Sequence, residues 1–233
     1  MAAYFWLRLD KTPPANFAFL INEGATVTAY NTVDLTFTSD DVDRTGYTIK
    51  VWGDVIGANH GPTESGATWI AWPTGTMSIT TSGADGLKTI NARARDRVGN
   101  ETTVVIRTIT VDSSVPVVTL SDIGGATQAN PEEVGVAPGA TIISSQQFRF
   151  QSDIAFVEYQ VRVGTTPTFL NTSGTLIGTA GGSVNMSGTG TFAANTQITC
   201  TLTGDDYDTA LAGVESTNPV KVFVRTQAGV WSV

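Results

Sequence analysis

The chain has 233 residues, a formal net charge of −8, one cysteine, 24 glycines and only 15% charged residues. The acidic balance argues against a nucleic-acid partner, because phosphate binding needs clustered Lys and Arg, and a single cysteine excludes an internal disulfide or a cysteine-rich metal site. No long segment carries apolar residues at helical spacing and none reaches transmembrane length, so two loop-rich β domains of about 100–120 residues, with no membrane partner, are expected.

In chain order, Tyr4, Phe5, Trp6, Leu7 and Leu9 make residues 4–9 a short apolar strand, broken by Asp10-Lys-Thr-Pro-Pro14. The first ten residues lack the basic lead and the apolar length of a signal peptide, so synthesis in a cytoplasm without cleavage is expected. Residues 16–21 read as a strand and 22–25 as a turn. Residues 32–38 alternate Val33, Leu35 and Phe37 with polar neighbours, and 46–53 place Tyr47, Ile49 and Val51 on one face with Lys50 and Trp52 on the other. That period of two is the pattern of a half-buried strand. Glycines and a proline make 55–65 a loop, and 69–72 and 76–80 are short strands.

The organising stretch is 86–116. Ile90, Ala92 and Ala94 alternate with Asn91, Arg93 and Arg95, then Asp96-Arg-Val-Gly-Asn100 supplies turn chemistry. The β-branched run 103–111 is a strand, and Asp112-Ser-Ser-Val-Pro116 ends pairing because Pro has no N–H to donate. About seven strands at this spacing predict an immunoglobulin-like sandwich.

The second half repeats the order. Residues 117–121, 147–151, 157–163 and 196–202 answer the strands near 16–21, 33–37, 47–51 and 77–79, and 220–229 answers 90–99 residue for residue. Residues 164–195 and 204–218, rich in Gly, Ser and Thr, read as long loops or weakly specified edge strands. The expected organisation is all-β: an N-terminal strand or arm (1–9) and two tandem immunoglobulin-like sandwiches (10–113 and 114–233). Expected cores are Phe37, Ile49, Val51, Ile90 and Ala92, then Phe148, Phe150, Tyr159, Val161, Val222 and Val224.

The strings LDKTPP, INEGATVTAYNTVDLTFTSDD, GLKTINARARDRVGNE and ITVDSSVP resemble a bacterial Ig-like repeat, and VKVFVRTQAGVWS extends the likeness into the second half. Such repeats occur in tandem in bacterial surface proteins and in structural proteins of tailed-bacteriophage virions. The resemblance implies a fold and a modular habit, not a binding site.

Chemistry-bearing residues are sparse. His60, the sole histidine, sits in Asn-His-Gly-Pro and reads as a solvated loop residue; no partners for a relay are recognisable. Gly181-Gly182 and Gly188-Thr-Gly190 precede no helix pattern, so they imply no phosphate loop. Asp40, Asp41 and Asp43, and again Asp205, Asp206 and Asp208, place three carboxylates within four loop residues. These are calcium candidates against the plainer reading of turn aspartates, and no metal or cofactor is expected. Trp69 and Trp72 are candidate sugar contacts, although residues three apart in a strand point to opposite faces, so packing is the plainer role. Cys200 shares a face with Ile198 and Leu202 and is expected in the core.

The leading expectation is a non-enzymatic structural or interaction protein of a phage virion, on the capsid or tail, bound to other virion proteins or to copies of itself. The alternative is an extracellular adhesin or carbohydrate-binding module that contacts a host-surface glycan. Aligning the halves adds one more expectation: Val233 matches Thr103 and 1–10 matches 103–112, so the second sandwich is expected to lack its last strand, the alternatives being a six-stranded sandwich, an N-terminal strand that pairs with the first sandwich, or a chain cut from a larger protein. Tyr4, Phe5, Trp6, Leu7, Leu9 and Trp231 are therefore the expected interaction residues, acting by strand addition.

Overall fold

In the computed structural model of the protein, which describes residues 9–121, 145–212 and 218–233, alternating apolar and polar residues build strands in two units that divide after Ser113. The expected strand at 4–8 lies outside the described residues.

In the first unit β1 (Ala18–Ile21), β2 (Val27–Thr28), β3 (Thr32–Thr38), β4 (Thr48–Gly53), β5 (Val55–Ile56), β6 (Ile70–Ala71), β7 (Met77–Thr81), β8 (Gly86–Arg95) and β9 (Val105–Val111) form two sheets. One runs β1-β3-β7-β5 and the other β2-β9-β8-β4-β6. Every pairing is antiparallel except β2 with β9. This order, with β9-β8-β4 facing β1-β3-β7, is that of an immunoglobulin-like sandwich. Between the sheets lie Phe19, Leu35, Ile49, Val51, Ile90 and Ala92, each fully buried. Phe37, at the sandwich end, stacks with Phe17 and meets Phe19 and Trp72 at ring distances of 5.8–6.3 Å.

One reading of this unit needs correction. The expected loop at 55–65 contains β5, whose Val55 pairs with Thr81; two residues are too few to show a period. Trp52, on the face away from the main core, is buried and bridges to Gly61.

In the second unit β10 (Val118–Ser121), β11 (Ser145–Ser152), β12 (Phe156–Val163), β13 (Thr175–Leu176), β14 (Ser187–Phe192), β15 (Ile198–Thr203), α1 (Gly204–Ala210) and β16 (Val220–Arg225) repeat the plan. One sheet is β10-β11-β15. In the other, β12 pairs with β13 and β14 along one edge and with β16 along the opposite edge. Phe148, Phe150, Tyr159, Val161, Val222 and Val224 lie in its core, with Cys200 fully buried among them.

The Gly/Ser/Thr-rich stretch at 164–195 holds β13 and the six-residue β14, SGTGTF. Gly188 is needed there: a Cβ at that position would stand 2.5 Å from the Tyr159 ring. The strand thus takes its apolar cover from its neighbour rather than from its own side chains, so its composition conceals it. The stretch beginning at 204 is also not a loop throughout, since 204–210 is helical.

Candidate functional site

The corner between β8 and β9 is held by Asp96. Its Oδ1 accepts hydrogen bonds from the Val98, Gly99 and Asn100 amides at 2.7–2.9 Å. Thr102 then returns alongside Ala94: its N–H donates to the Ala94 carbonyl at 2.9 Å and its hydroxyl accepts the Ala94 N–H at 3.1 Å. From there β9 runs antiparallel to β8 for seven residues and buries Ile109 and Val111. Midway, Arg107 donates from Nε to the Phe19 carbonyl at 3.2 Å and lies over the Phe19 ring, closing the seam with β1.

The second unit makes the same corner with other residues. Thr226 stands where Asp96 does, its N–H donating to the Val230 carbonyl and its hydroxyl accepting the Val230 N–H. Ser232 repeats Thr102: its N–H donates to the Val224 carbonyl at 2.9 Å and its hydroxyl accepts the Val224 N–H at 3.1 Å. Trp231 bridges to Arg225 as Glu101 does to Arg95, beneath the Arg225 guanidinium. Val233 then occupies the place of Thr103 and is 81% exposed.

Beyond this point the units differ. Among the described residues no strand pairs with the outer edge of β16. Backbone groups alternate in direction along a strand. Because Val224 bonds outward to Ser232, Val222 and Val220 also turn their N–H and C=O groups to that edge. Beside the edge is a groove of about 360 Å³ lined by Val117, Val118, Leu120, Val220, Val222 and Val233, among others. Val117, on its β10 side, is 60% exposed. In the first unit the corresponding place, between β8 and β1, is filled by β9. An edge with open backbone groups beside apolar side chains is a template for pairing.

Of the expected interaction residues, Leu9 is 76% exposed, whereas Tyr4, Phe5, Trp6 and Leu7 lie outside the described residues. Sequence reasoning misses the groove walls as a site, because it places Val222 in the core alone and the Val115–Val118 run, VPVV, only in linker and strand. The succession of valines in that run is the available signal.

The aspartate clusters are occupied with backbone work. Asp41 accepts the Ala15 N–H at 2.9 Å and the Ser39 hydroxyl at 3.0 Å, Asp40 takes the Asn16 amide, and Asp43 caps Thr45. The Ala15 amide bond, chiefly, holds the Asp41 carboxyl below its usual range against desolvation. In the second unit Asp153 does the same for Val117 at 2.8 Å, so this is a structural clamp found in both sandwiches. Asp205, Asp206 and Asp208 sit on α1 rather than in a loop, which spreads them around its axis. Asp206 is buried and accepts the Gly181 and Ser183 amides at 2.7 and 2.8 Å and the Thr203 hydroxyl at 3.1 Å. Burial raises its pKa, but those bonds outweigh burial and leave it below the ordinary aspartate value. Among the described residues no three His, Cys, Asp or Glu side chains are arranged to hold a metal ion.

The tryptophans divide between faces. Trp72 packs edge-on against Phe17, Phe37 and Tyr47 while Arg44 covers its ring at 5.5 Å. Trp69 lies on the outer face of the sheet between Lys50 and Arg95, at 4.9 and 4.4 Å. Their ring faces are thus taken by cations rather than presented together. His60 is half-buried rather than solvated, with no partner at Nδ1; burial lowers its pKa. Cys200 donates to the Asn185 carbonyl, and burial pushes its thiol up to about 12, far from a reactive thiolate.

No protein-family model and no curated protein matches the chain. Among solved structures, the Clostridium thermocellum CbhA fibronectin(III)-like modules are 12% identical with a TM-score of 0.46, over 93% of this chain and 90% of theirs. A chitinase from Bacillus thuringiensis is 16% identical with a TM-score of 0.29, over 85% of this chain and 28% of its own. The D00-D0 domain of intimin is 12% identical with a TM-score of 0.24, over 89% and 98%. At such scores the fold assignment rests on the strand order itself. Among the described residues no helix is long and apolar enough to cross a membrane.

Proposed function

We propose that the chain is a non-enzymatic structural and interaction protein, a component of a bacteriophage virion on the capsid surface or the tail, built from Ig-like modules. The observation that carries an interaction role is the apolar groove beside the open edge of β16. Exposed valines next to unpaired backbone groups are costly in water and are relieved by a partner that supplies both apolar side chains and a strand backbone. The virion setting draws on the resemblance of the first unit's strings to repeats of tailed-phage structural proteins. An antibody against the chain, applied to density-gradient-purified phage particles and to envelope and secreted fractions of the producing culture, tests it. Co-sedimentation with particles is the expected result, and recovery solely from the envelope or medium overturns the virion reading.

A second reading, an extracellular surface module that contacts glycans, draws on the surface groove of about 640 Å³ where Tyr47 and Trp72 meet Arg44, Thr45 and Thr74. Trp72→Ala and Trp69→Ala variants on a glycan array test that reading. It requires a bound sugar whose retention falls at least tenfold in one of the two.

A further inference from the structure

We propose that residues 3–9 of a second copy of this chain add to β16 as an antiparallel strand and fill the groove beside β10, an inference that rests on the interaction role above. Residues 1–10 carry the pattern of β9 and its exit: Ala3, Phe5, Leu7 and Leu9 stand where Val105, Arg107, Ile109 and Val111 do, and Asp10 matches Asp112 ahead of a proline-marked linker. The hydrogen bonds shared by the two corners set the register. Ala92 pairs with Val105, Ile90 with Arg107 and Lys88 with Ile109. The donor therefore sets Ala3 opposite Val222 and Phe5 opposite Val220, and the ladder ends where Leu7 reaches Asn218, whose N–H and C=O are bonded to the Tyr207 hydroxyl at 3.2 Å. Leu7 and Leu9 take the positions that Ile109 and Val111 bury in the first unit. Phe5 replaces Arg107 at the seam, where Val117, Val118, Val220 and Val222 offer an apolar wall.

Reach favours a second copy as donor. Asn100 donates from its side chain to the Asp10 and Thr12 carbonyls at 3.3 and 3.5 Å, which places Leu9 at the β8–β9 turn of the first unit. The chain leaves that unit from the other end of β9, where Val111 pairs with Gly86. Nine extended residues span at most about 30 Å. A donor pairing within its own copy would need the acceptor edge to lie within that length of the β8–β9 turn, whereas a second copy reaches it in any arrangement of the two units. Donor and acceptor are different surfaces, so the contact is head-to-tail and propagates into chains or rings.

The test uses the full chain in sedimentation-velocity and hydrogen-exchange experiments. The expected result is oligomers that grow with concentration, with slow exchange at the Val220 and Val222 amides. Leu7→Asp, altering a residue outside both described cores, should lower the association constant at least tenfold and release those amides. Val222→Lys blocks the acceptor, and circular dichroism checks its fold. Mixed with Leu7→Asp it should give a capped 1:1 dimer, although neither variant associates alone. If Val222→Lys unfolds, substoichiometric Leu7→Asp added to the unaltered chain should still shorten the oligomers. Amides of β16 that stay protected at every dilution and are released by Leu7→Asp would assign the donor to the same copy and overturn the proposal. Oligomers unchanged by Leu7→Asp, with β16 exchanging freely, overturn strand donation but leave the interaction role. A chain that neither self-associates nor enters particles overturns that role itself.

Discussion

The two corners, 94–102 and 224–232, share a backbone and almost no side chains. Asp96 draws three amides onto one oxygen, whereas the Thr226 hydroxyl takes one; the main-chain bonds of both residues are the same. Both turns depend on a glycine with positive φ, Gly99 and Gly229, at 97° and 92°. Hydrogen-bond geometry and a left-handed glycine are therefore what the repeat retains, and the capping side chain is replaceable. The fate of the edge is decided by the segment after the corner. In the first unit β9 satisfies β8 and seals the core against β1; in the second, described residues leave the outer edge of β16 unpaired and Val117 exposed.

The largest perturbation that sharpens this comparison lies in the cores. Phe37→Ala and Phe150→Ala should each cost roughly 3–5 kcal/mol, from lost transfer energy plus a cavity. Denaturant unfolding followed by probes in each unit should show only the altered unit's transition move. A change below about 1 kcal/mol would mean the ring's environment collapses around the loss.

Gly188→Ala tests whether β14 depends on the Tyr159 ring. The added methyl meets ring atoms at 2.5–2.9 Å, so a loss of about 1–3 kcal/mol from overpacking is expected, confined to the second unit. Thermal melts paired with near-ultraviolet dichroism of Tyr159 would register it.

The corners themselves come next. Asp96→Ala removes a carboxylate that accepts from three turn amides and should cost about 1–3 kcal/mol, and Thr226→Ala, which loses one bond to a neutral hydroxyl, about 0.5–1.5 kcal/mol. The two also differ in pH response. Burial pushes the Asp96 carboxyl up, but its hydrogen bonds from Asn100, Val98 and Gly99 outweigh this and hold it below the usual aspartate range. The unfolded chain then binds that proton more readily, so the stabilisation is present above the ordinary aspartate value and lost as pH falls through the lower folded value. Stability curves of Asp96→Asn and the unaltered chain should converge in acid, while Thr226→Ala should run parallel to its parent.

Trp69→Ala should have the smallest effect, about 0.5–1 kcal/mol, because its cationic neighbours are partly solvated. Chemical denaturation at low and high salt would check it.

Much of the fold was legible because half-buried strands write their orientation as a period of two. Val33, Leu35 and Phe37, or Phe148 and Phe150, could face only one way. The repeat was legible too, since Ile90-Asn-Ala-Arg-Ala and Val220-Lys-Val-Phe-Val carry β-branched and small residues at matching places before a glycine turn. The interaction site was half legible: residues 3–9 repeat the pattern of β9, but nothing in them shows the groove beside β16.

The sequence by itself determined the strands, the core faces, the turn glycines and the duplication, because each is written in local alternation and backbone preference. Tertiary structure alone decided that Trp52 is buried, that Asp206 faces inward from a short helix, and that SGTGTF is a strand. It also decided that the valines flanking the linker line an open edge. Each depends on which distant segment lies alongside, and a residue's neighbours across a sandwich leave no period in its own stretch of chain.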